Sequence, residues 1–267
     1  MTPNDPVATE NLRALTHLDV YFAMALGCSV GDLRRGGWIC PAPRGDVDPM
    51  ALLFGRRALV YIVSPLPERA GDPRSGVAMV APEMRPTICD MLGDFTPETL
   101  FSPDGRQVID AAVRASVGVG ETRVAGDDGH LVVRYVTRSR FTPYVGHLQE
   151  WTEALDESAE MDPLALSLLA RHSGGVHVIR ERGAIASFAG IRADSPHVSD
   201  LTVSTVNERL RGQGLARAVA SAATRAVLKG DRVPLYRHTH DDATAERVAR
   251  SLGYGHYGDA MMYFTAS

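Results

Sequence analysis

The sequence predicts an α/β chain of the α+β, mixed-sheet kind. Three observations lead there. Short runs rich in Val, Ile and Ala, bounded by Pro and Gly, read as strands along the 267 residues. Between them lie segments whose apolar residues recur at helical spacing. In the second half a strand meander passes into a β-α-β-α-β alternation, which implies a mixed sheet with helices on both faces.

In chain order, Leu15, Leu18, Phe22 and Leu26 mark an amphipathic helix over residues 10–26 that stops at Gly27. Residues 38–40, 58–63 and 76–80 read as strands separated by turns such as Pro41-Ala42-Pro43 and Pro65-Leu66-Pro67. Residues 106–117 read as a helix, and 121–136 as a hairpin turned at Asp127-Asp128-Gly129. A second lobe starts near Thr142-Pro143, giving domains of residues 1–142 and 143–267. It opens on an acidic helical segment, 146–172, broken at Asp162-Pro163, and continues with strands at 176–181, 184–191 and 198–206. A helix at 214–229, a strand at 233–238, a helix at 243–252 ended by Gly253 and a last strand at 256–265 complete it. The two lobes match in length and class, as an old duplication would leave them, but share no motif.

Composition narrows the chemistry. Of the 28 basic residues only Lys229 is a lysine. A P-loop needs Gly-Lys-Ser/Thr so that the ammonium reaches the phosphates, and Leu228-Lys229-Gly230 does not supply it, which excludes Walker-type nucleotide hydrolysis. The same lysine ends a predicted helix where nothing would activate its amine, which argues against Schiff-base catalysis. A net charge of −4 argues against nucleic acid as the main partner. Cys28, Cys40 and Cys89 are an odd count at spacings that fit neither a zinc site nor a CxxC pair; Cys28 and Cys40 read as small buried hydrophobes, and a reducing compartment is expected. Residues 1–6 are polar and acidic, and Arg56-Arg57 interrupt the best apolar run, 51–63, so the expectation is a cytoplasmic protein without a membrane span.

The segment with chemical content is Val206-Asn207-Glu208-Arg209-Leu210-Arg211-Gly212-Gln213-Gly214-Leu215-Ala216. A strand runs into a turn holding two glycines and an arginine, and the turn opens directly into an Ala-rich helix. Glycine lets backbone amides approach a ligand closely, and the first amides of a helix lack internal partners and carry the positive end of its dipole. The result is an anion cradle, with Arg211 and Arg217 alongside to hold a diphosphate by charge-assisted bonds.

Arg211-Gly212-Gln213-Gly214-Leu215-Ala216 resembles the R-x-x-G-x-[GA] acyl-CoA loop of the GNAT acyltransferase superfamily, with Val206 five residues ahead of the arginine. Downstream, residues 245–254 resemble that family's closing helix and its Gly-aromatic pair, with Asp242 where an asparagine is common. The likeness covers residues 146–267. It implies a sheet splayed between strands 198–206 and 233–238; the first lobe, either a degenerate GNAT-like copy or a separate mixed α/β lobe, would close one side of the acceptor cleft and set acceptor specificity. It further implies acetyl-CoA as acyl donor without a metal. The pyrophosphate would lie on Arg211, Gly212, Gln213, Gly214, Leu215 and Ala216, the pantetheine against the backbone of Thr205 and Val206, and Asp242 would belong to the same cofactor site.

The catalytic groups depart from the family pattern. Where many members carry a tyrosine that protonates the departing thiolate, this chain has Ala249, so the acid falls to Tyr254, Tyr257 or water. An acidic base on the strand maps onto Asp200, which would take a proton from the acceptor amine through water; its plainer role is a turn residue capping its own backbone. His238, flanking Thr239 with His240, is a second candidate base. The run His238-Thr239-His240-Asp241-Asp242 also has metal-ligand character, but its carboxylates are better used as helix caps. The function implied is N-acyl transfer to the amine of a small metabolite or, as an alternative acceptor, of a protein. Two other readings stand beside it: transfer from an aminoacyl-tRNA, and a CoA-binding sensor without turnover.

Overall fold

A computed structural model describes residues 5–41, 58–67, 72–117, 122–124, 129–155, 163–193, 195–206 and 208–265. The expected turn residues Ala42, Pro43, Asp127, Asp128 and Asp162, together with Arg56, Arg57 and Asn207, lie outside them. In chain order the elements are α1 (Pro6–Leu26), α2 (Val30–Arg34), β1 (Gly37–Ile39), β2 (Ala58–Pro65), β3 (Ser75–Val80), α3 (Arg85–Leu92), α4 (Pro97–Leu100), α5 (Pro103–Val117), β4 (Thr122–Val124) and β5 (His130–Tyr135). There follow β6 (Thr152–Ala154), α6 (Pro163–Arg171), β7 (Val176–Glu181), β8 (Ala184–Arg192), β9 (Val198–Thr205), α7 (Leu215–Lys229), β10 (Val233–Thr239), α8 (Ala243–Ser251) and β11 (Gly255–Thr265). The fold class is the expected mixture of helices with parallel and antiparallel strands. Among the described residues no helix is long and apolar enough to cross a membrane.

Two compact units interleave along the chain. Met1–His17, Arg134–Arg237 and Asp242–Gly255 form the first, and Leu18–Val133, His238–Asp241 and His256–Ser267 form the second. The last strand, β11, falls in the second unit, where it pairs antiparallel with β2.

In the first unit the strands run β10-β9-β8-β7-β6, with β9 and β10 parallel and the other neighbours antiparallel. Side chains alternate across these strands. On one face Ile179, Ala189 and Leu201 pack under Leu215, Val219, Ala223 and Val227 of α7, and Ala249 and Leu252 close the cluster. On the other, Val176, Val178 and Ile185 pack with Ala165 and Leu168 of α6. Full burial of a Leu or Val side chain contributes about 1.5–3 kcal/mol, so this two-sided core holds β8 and β9 in place. Residues 152–154 fall in the segment expected to be helical, yet they pair with β7 from His177 to Ile179; inter-strand bonds override local helix preference there.

In the second unit the order is β1-β3-β2-β11-β5, and β4 also pairs with β11. The expected hairpin over 121–136 is therefore replaced by two strands that each run along β11. Helices α2, α3 and α4, which the sequence left in loops, are short; Ser29 and Asp32 cap one another at α2, as Thr96 and Thr99 do at α4, while α3 starts with a proline in its first turn and no side-chain cap. Likewise α1 begins at Pro6 and not near residue 10, since the Asp5 carboxylate accepts the Val7 N–H at 3.0 Å.

Candidate functional site

The candidate site lies in the first unit, where β9 leaves β10 and turns into α7. The parallel ladder extends from Val198↔Val233 to Leu201↔Tyr236; β9 continues through Thr202 to Thr205 with no further β10 register among the described residues. On its other side β9 stays paired with β8 as far as Thr205↔Ser187. The Val206 N–H donates to Ala186 O at 2.9 Å, and in an antiparallel ladder residues alternate between pointing at that neighbour and away from it. Ser204 and Thr202 thus face β8, while the backbone N–H and C=O of Val203 and Thr205 face the side that β10 has left. Of the two residues expected to meet pantetheine, Thr205 presents its backbone there and Val206 commits its amide to Ala186. The strand is held firmly, since the Ser187 hydroxyl also donates to Ser204 O at 2.9 Å.

Beyond β9 the chain makes the expected turn. Gly212 and Gly214 have φ of +80° and +85°, left-handed values that cost other residues about 1–2 kcal/mol. Gly214 is the N-cap of α7 and offers no capping side chain, so the first amides of a 15-residue helix are left without an internal acceptor. Gly212 and Gln213 are exposed, Gly214 and Ala216 half-buried, and Leu215 anchors the start of α7 in the core. Arg211 is exposed and paired with the equally exposed Glu208 at 3.0 Å. Such a surface pair contributes about 0–1 kcal/mol, so the guanidinium is free to turn to an incoming anion. Arg217, expected alongside, points elsewhere: its guanidinium stacks 5.6 Å over the Tyr144 ring and donates to Ser251 O at 3.3 Å.

The catalytic candidates are engaged in structure. Asp200 is buried, and its carboxylate accepts from Arg192 Nη2 at 2.7 Å on β8 and from Arg237 Nη2 at 2.6 Å on β10. Taking a proton from an amine would mean displacing an ion pair, so the carboxylate is a tie across three strands. Tyr254 is buried under α7, its hydroxyl 2.7 Å from Thr224 Oγ1. Thr224 in turn donates to Ala220 O, which makes Tyr254 the donor of that bond. Burial pushes its phenol well above the ordinary range, with repulsion from Tyr236 and Asp200 adding to this and the Thr224 bond opposing it. Tyr254→Phe is expected to lower unfolding stability by about 1 kcal/mol in a urea titration and to leave turnover unchanged. A tenfold loss of turnover with intact stability would restore it as an acid.

His238 belongs to the second unit, buried, with Nδ1 2.8 Å from Thr239 O; nearby, His240 stacks on His130 with centroids 4.6 Å apart. Tyr257, also in the second unit, donates to Asp19 at 2.8 Å. Asp242 caps α8, its Oδ1 accepting from Thr244 N at 3.0 Å and Ala245 N at 2.8 Å. Ala249 is buried within the α7–α8 core. The loop residues and Thr205 lie at one end of β9; Asp200, Tyr254 and Asp242 are each bonded to a partner in the framework, and His238 lies in the second unit. The Arg192–Asp200–Arg237 tie escaped the sequence reading because it depends on the register of three strands; the signal available was the alternation that puts Arg192 and Asp200 on one face.

No protein-family model matches the chain. No curated protein matches it in sequence. Among solved structures it is similar to a tandem GNAT protein from the clavulanic acid biosynthesis pathway, at 12% identity over 95% of this chain and 94% of that one, TM-score 0.40. It is also similar to a GCN5-related N-acetyltransferase from Kribbella flavida, at 16% identity over 82% and 94% of the two chains, TM-score 0.40. A GCN5-related N-acetyltransferase from Sphaerobacter thermophilus matches at 14% identity over 77% and 76%, TM-score 0.43.

Proposed function

We propose that this chain is a GNAT-type N-acyltransferase that moves an acyl group, acetyl from acetyl-CoA, onto the amine of a small molecule. One observation carries the reading: a strand whose backbone edge at Val203 and Thr205 is left open by β10 leads within a few residues into a glycine turn and the uncapped start of α7. An extended chain bearing amides can add to that edge as a further strand would, and a diphosphate can rest on the turn. A CoA thioester has both parts in that order. The left-handed glycines and the weakly held Arg211 fit it.

The thioester supplies an acyl carbon already open to attack. The chain's own part is to orient it: an amide on the open side of β9, Thr205 or Val203, donates to the carbonyl oxygen as negative charge grows there, since Val206 N–H is already bonded to Ala186. The acceptor amine arrives neutral and passes its proton to water, and the thiolate leaves without a dedicated acid. The test is thiol release from acetyl-CoA across a panel of amines. Arg211→Glu is expected to raise the KM for acetyl-CoA at least about tenfold, a loss of some 1.4 kcal/mol, with Tm unchanged; an unaltered KM would sink the assignment of the donor.

A second reading, a CoA sensor without turnover, is favoured by the engagement of Asp200 and Tyr254 and by Ala249. It predicts tight CoA binding and no thiol release with any amine.

A further inference from the structure

Cys40 and Cys89 are far apart in sequence, and their spacing matches no motif. In the second unit they meet. Cys40 directly follows β1, Cys89 lies in α3, and both half-buried free thiols pack against the same cluster of Leu59, Ile62, Met84 and Ile88. Arg85, one turn before Cys89 on α3, donates to the carbonyl oxygens of Cys40 and Pro41, which ties the Cys40 backbone to the helix that carries Cys89. The Cys89 thiol lies near enough to the Cys40 thiol to reinforce the upward shift that burial gives it. Cys28, in contrast, is buried.

We propose that Cys40 and Cys89 are an oxidisable dithiol that a hydroperoxide closes to an intramolecular disulfide, stapling the end of β1 to α3. The Cys89 sulfur, as thiolate, attacks the hydroperoxide: an S–O bond forms, the O–O bond breaks, and the departing oxygen takes up a proton as water or alcohol. The Cys40 sulfur then attacks the Cys89 sulfenic acid. An S–S bond forms, the S–O bond breaks, and the hydroxide leaves as water with the Cys40 proton, so that two thiols are oxidised and one peroxide is reduced. Cys40 is the resolving partner because burial, reinforced by the Cys89 thiol and opposed by Arg85, pushes its own thiol up to about 12. Arg85 steadies the Cys40 thiolate as it forms, and the fixed backbone keeps the second sulfur within reach.

The test treats the full-length protein with hydrogen peroxide, alkylates the remaining thiols and maps the peptides without reduction. The expected product is one linked peptide pair, Cys40 with Cys89, with Cys28 still alkylated, and dithiothreitol reverses it. The oxidised protein melts several degrees higher than the reduced one, since a long loop is closed. Cys40→Ser is expected to abolish both the link and the shift and to leave a dimedone-reactive Cys89, while Cys28→Ser changes neither. Absence of the linked pair in oxidised wild-type protein overturns the proposal, as does a product joining separate copies of the chain. Using the wild-type protein keeps the outcome independent of how well any variant folds.

Discussion

Asp200→Asn is expected to lower Tm by roughly 6–12 °C while leaving any acetyl-CoA-dependent thiol release by the folded protein within about threefold. The side chains of Asp200, Arg237 and Arg192 are 10%, 8% and 20% exposed, so the carboxylate and its two guanidiniums meet largely out of water. Removing one partner of a buried ion pair costs about 3–5 kcal/mol because the remaining charge stays desolvated. The lower end applies here, since Asn keeps one acceptor oxygen and both arginines make other contacts. A general base would behave otherwise: turnover would fall by two or more orders of magnitude with little change in Tm. The pH profile separates the two roles as well. Without a protein base, the thiol-release rate of the wild-type protein should rise with pH through the pKa of the acceptor amine. Thermal unfolding read together with thiol-release kinetics decides between tie and base.

Gly214→Val is the second large effect: acetyl-CoA affinity should fall at least about tenfold, that is by 1.4 kcal/mol or more. Space is not the reason, because a Cβ at Gly214 would meet only Leu148 Cδ1 at 3.6 Å, an ordinary contact. Conformation is the reason. At φ +85° a β-branched side chain clashes with its own backbone, so the residue must rotate out of the left-handed region and carry the first amides of α7 with it. Calorimetric titration with acetyl-CoA measures the effect, and the Tm of the unliganded protein monitors the fold. Affinity unchanged within twofold would show that the turn does not hold the diphosphate. Gly212→Ala probes the same conformational demand with no neighbour within 4 Å, and a smaller loss is expected there because alanine tolerates positive φ better than valine.

The loop from Arg211 to Ala216 was legible because everything it needs is local. Two glycines, the strand before them and the small-residue helix after them stand within a short stretch, and their conformations follow from residue type. The helices and strands with clean periodicity were legible for the same reason, as with Leu18, Phe22 and Leu26 in α1 or Leu201 on β9. Residues 152–154 were not, since a three-residue strand has no periodicity to show and exists because β7 offers it bonds.

The roles of the polar side chains were the part hidden from the sequence. Asp200, Tyr254 and Asp242 belong to types that do chemistry, and by position any of them suited it. Each has instead found a partner fixed by strand register or helix packing: Arg192 and Arg237, Thr224, and the first amides of α8. The same is true of Cys40 and Cys89, whose meeting depends on how α3 lies against β1. By itself the sequence determined the mixed fold, the glycine turn and its arginine, because backbone freedom and apolar spacing are properties of neighbours in the chain. Which strand closes which unit, where the β9–β10 ladder ends, and whether a carboxylate is a base or a tie were decided only in the tertiary structure, because a buried polar group takes its role from the partner that satisfies it.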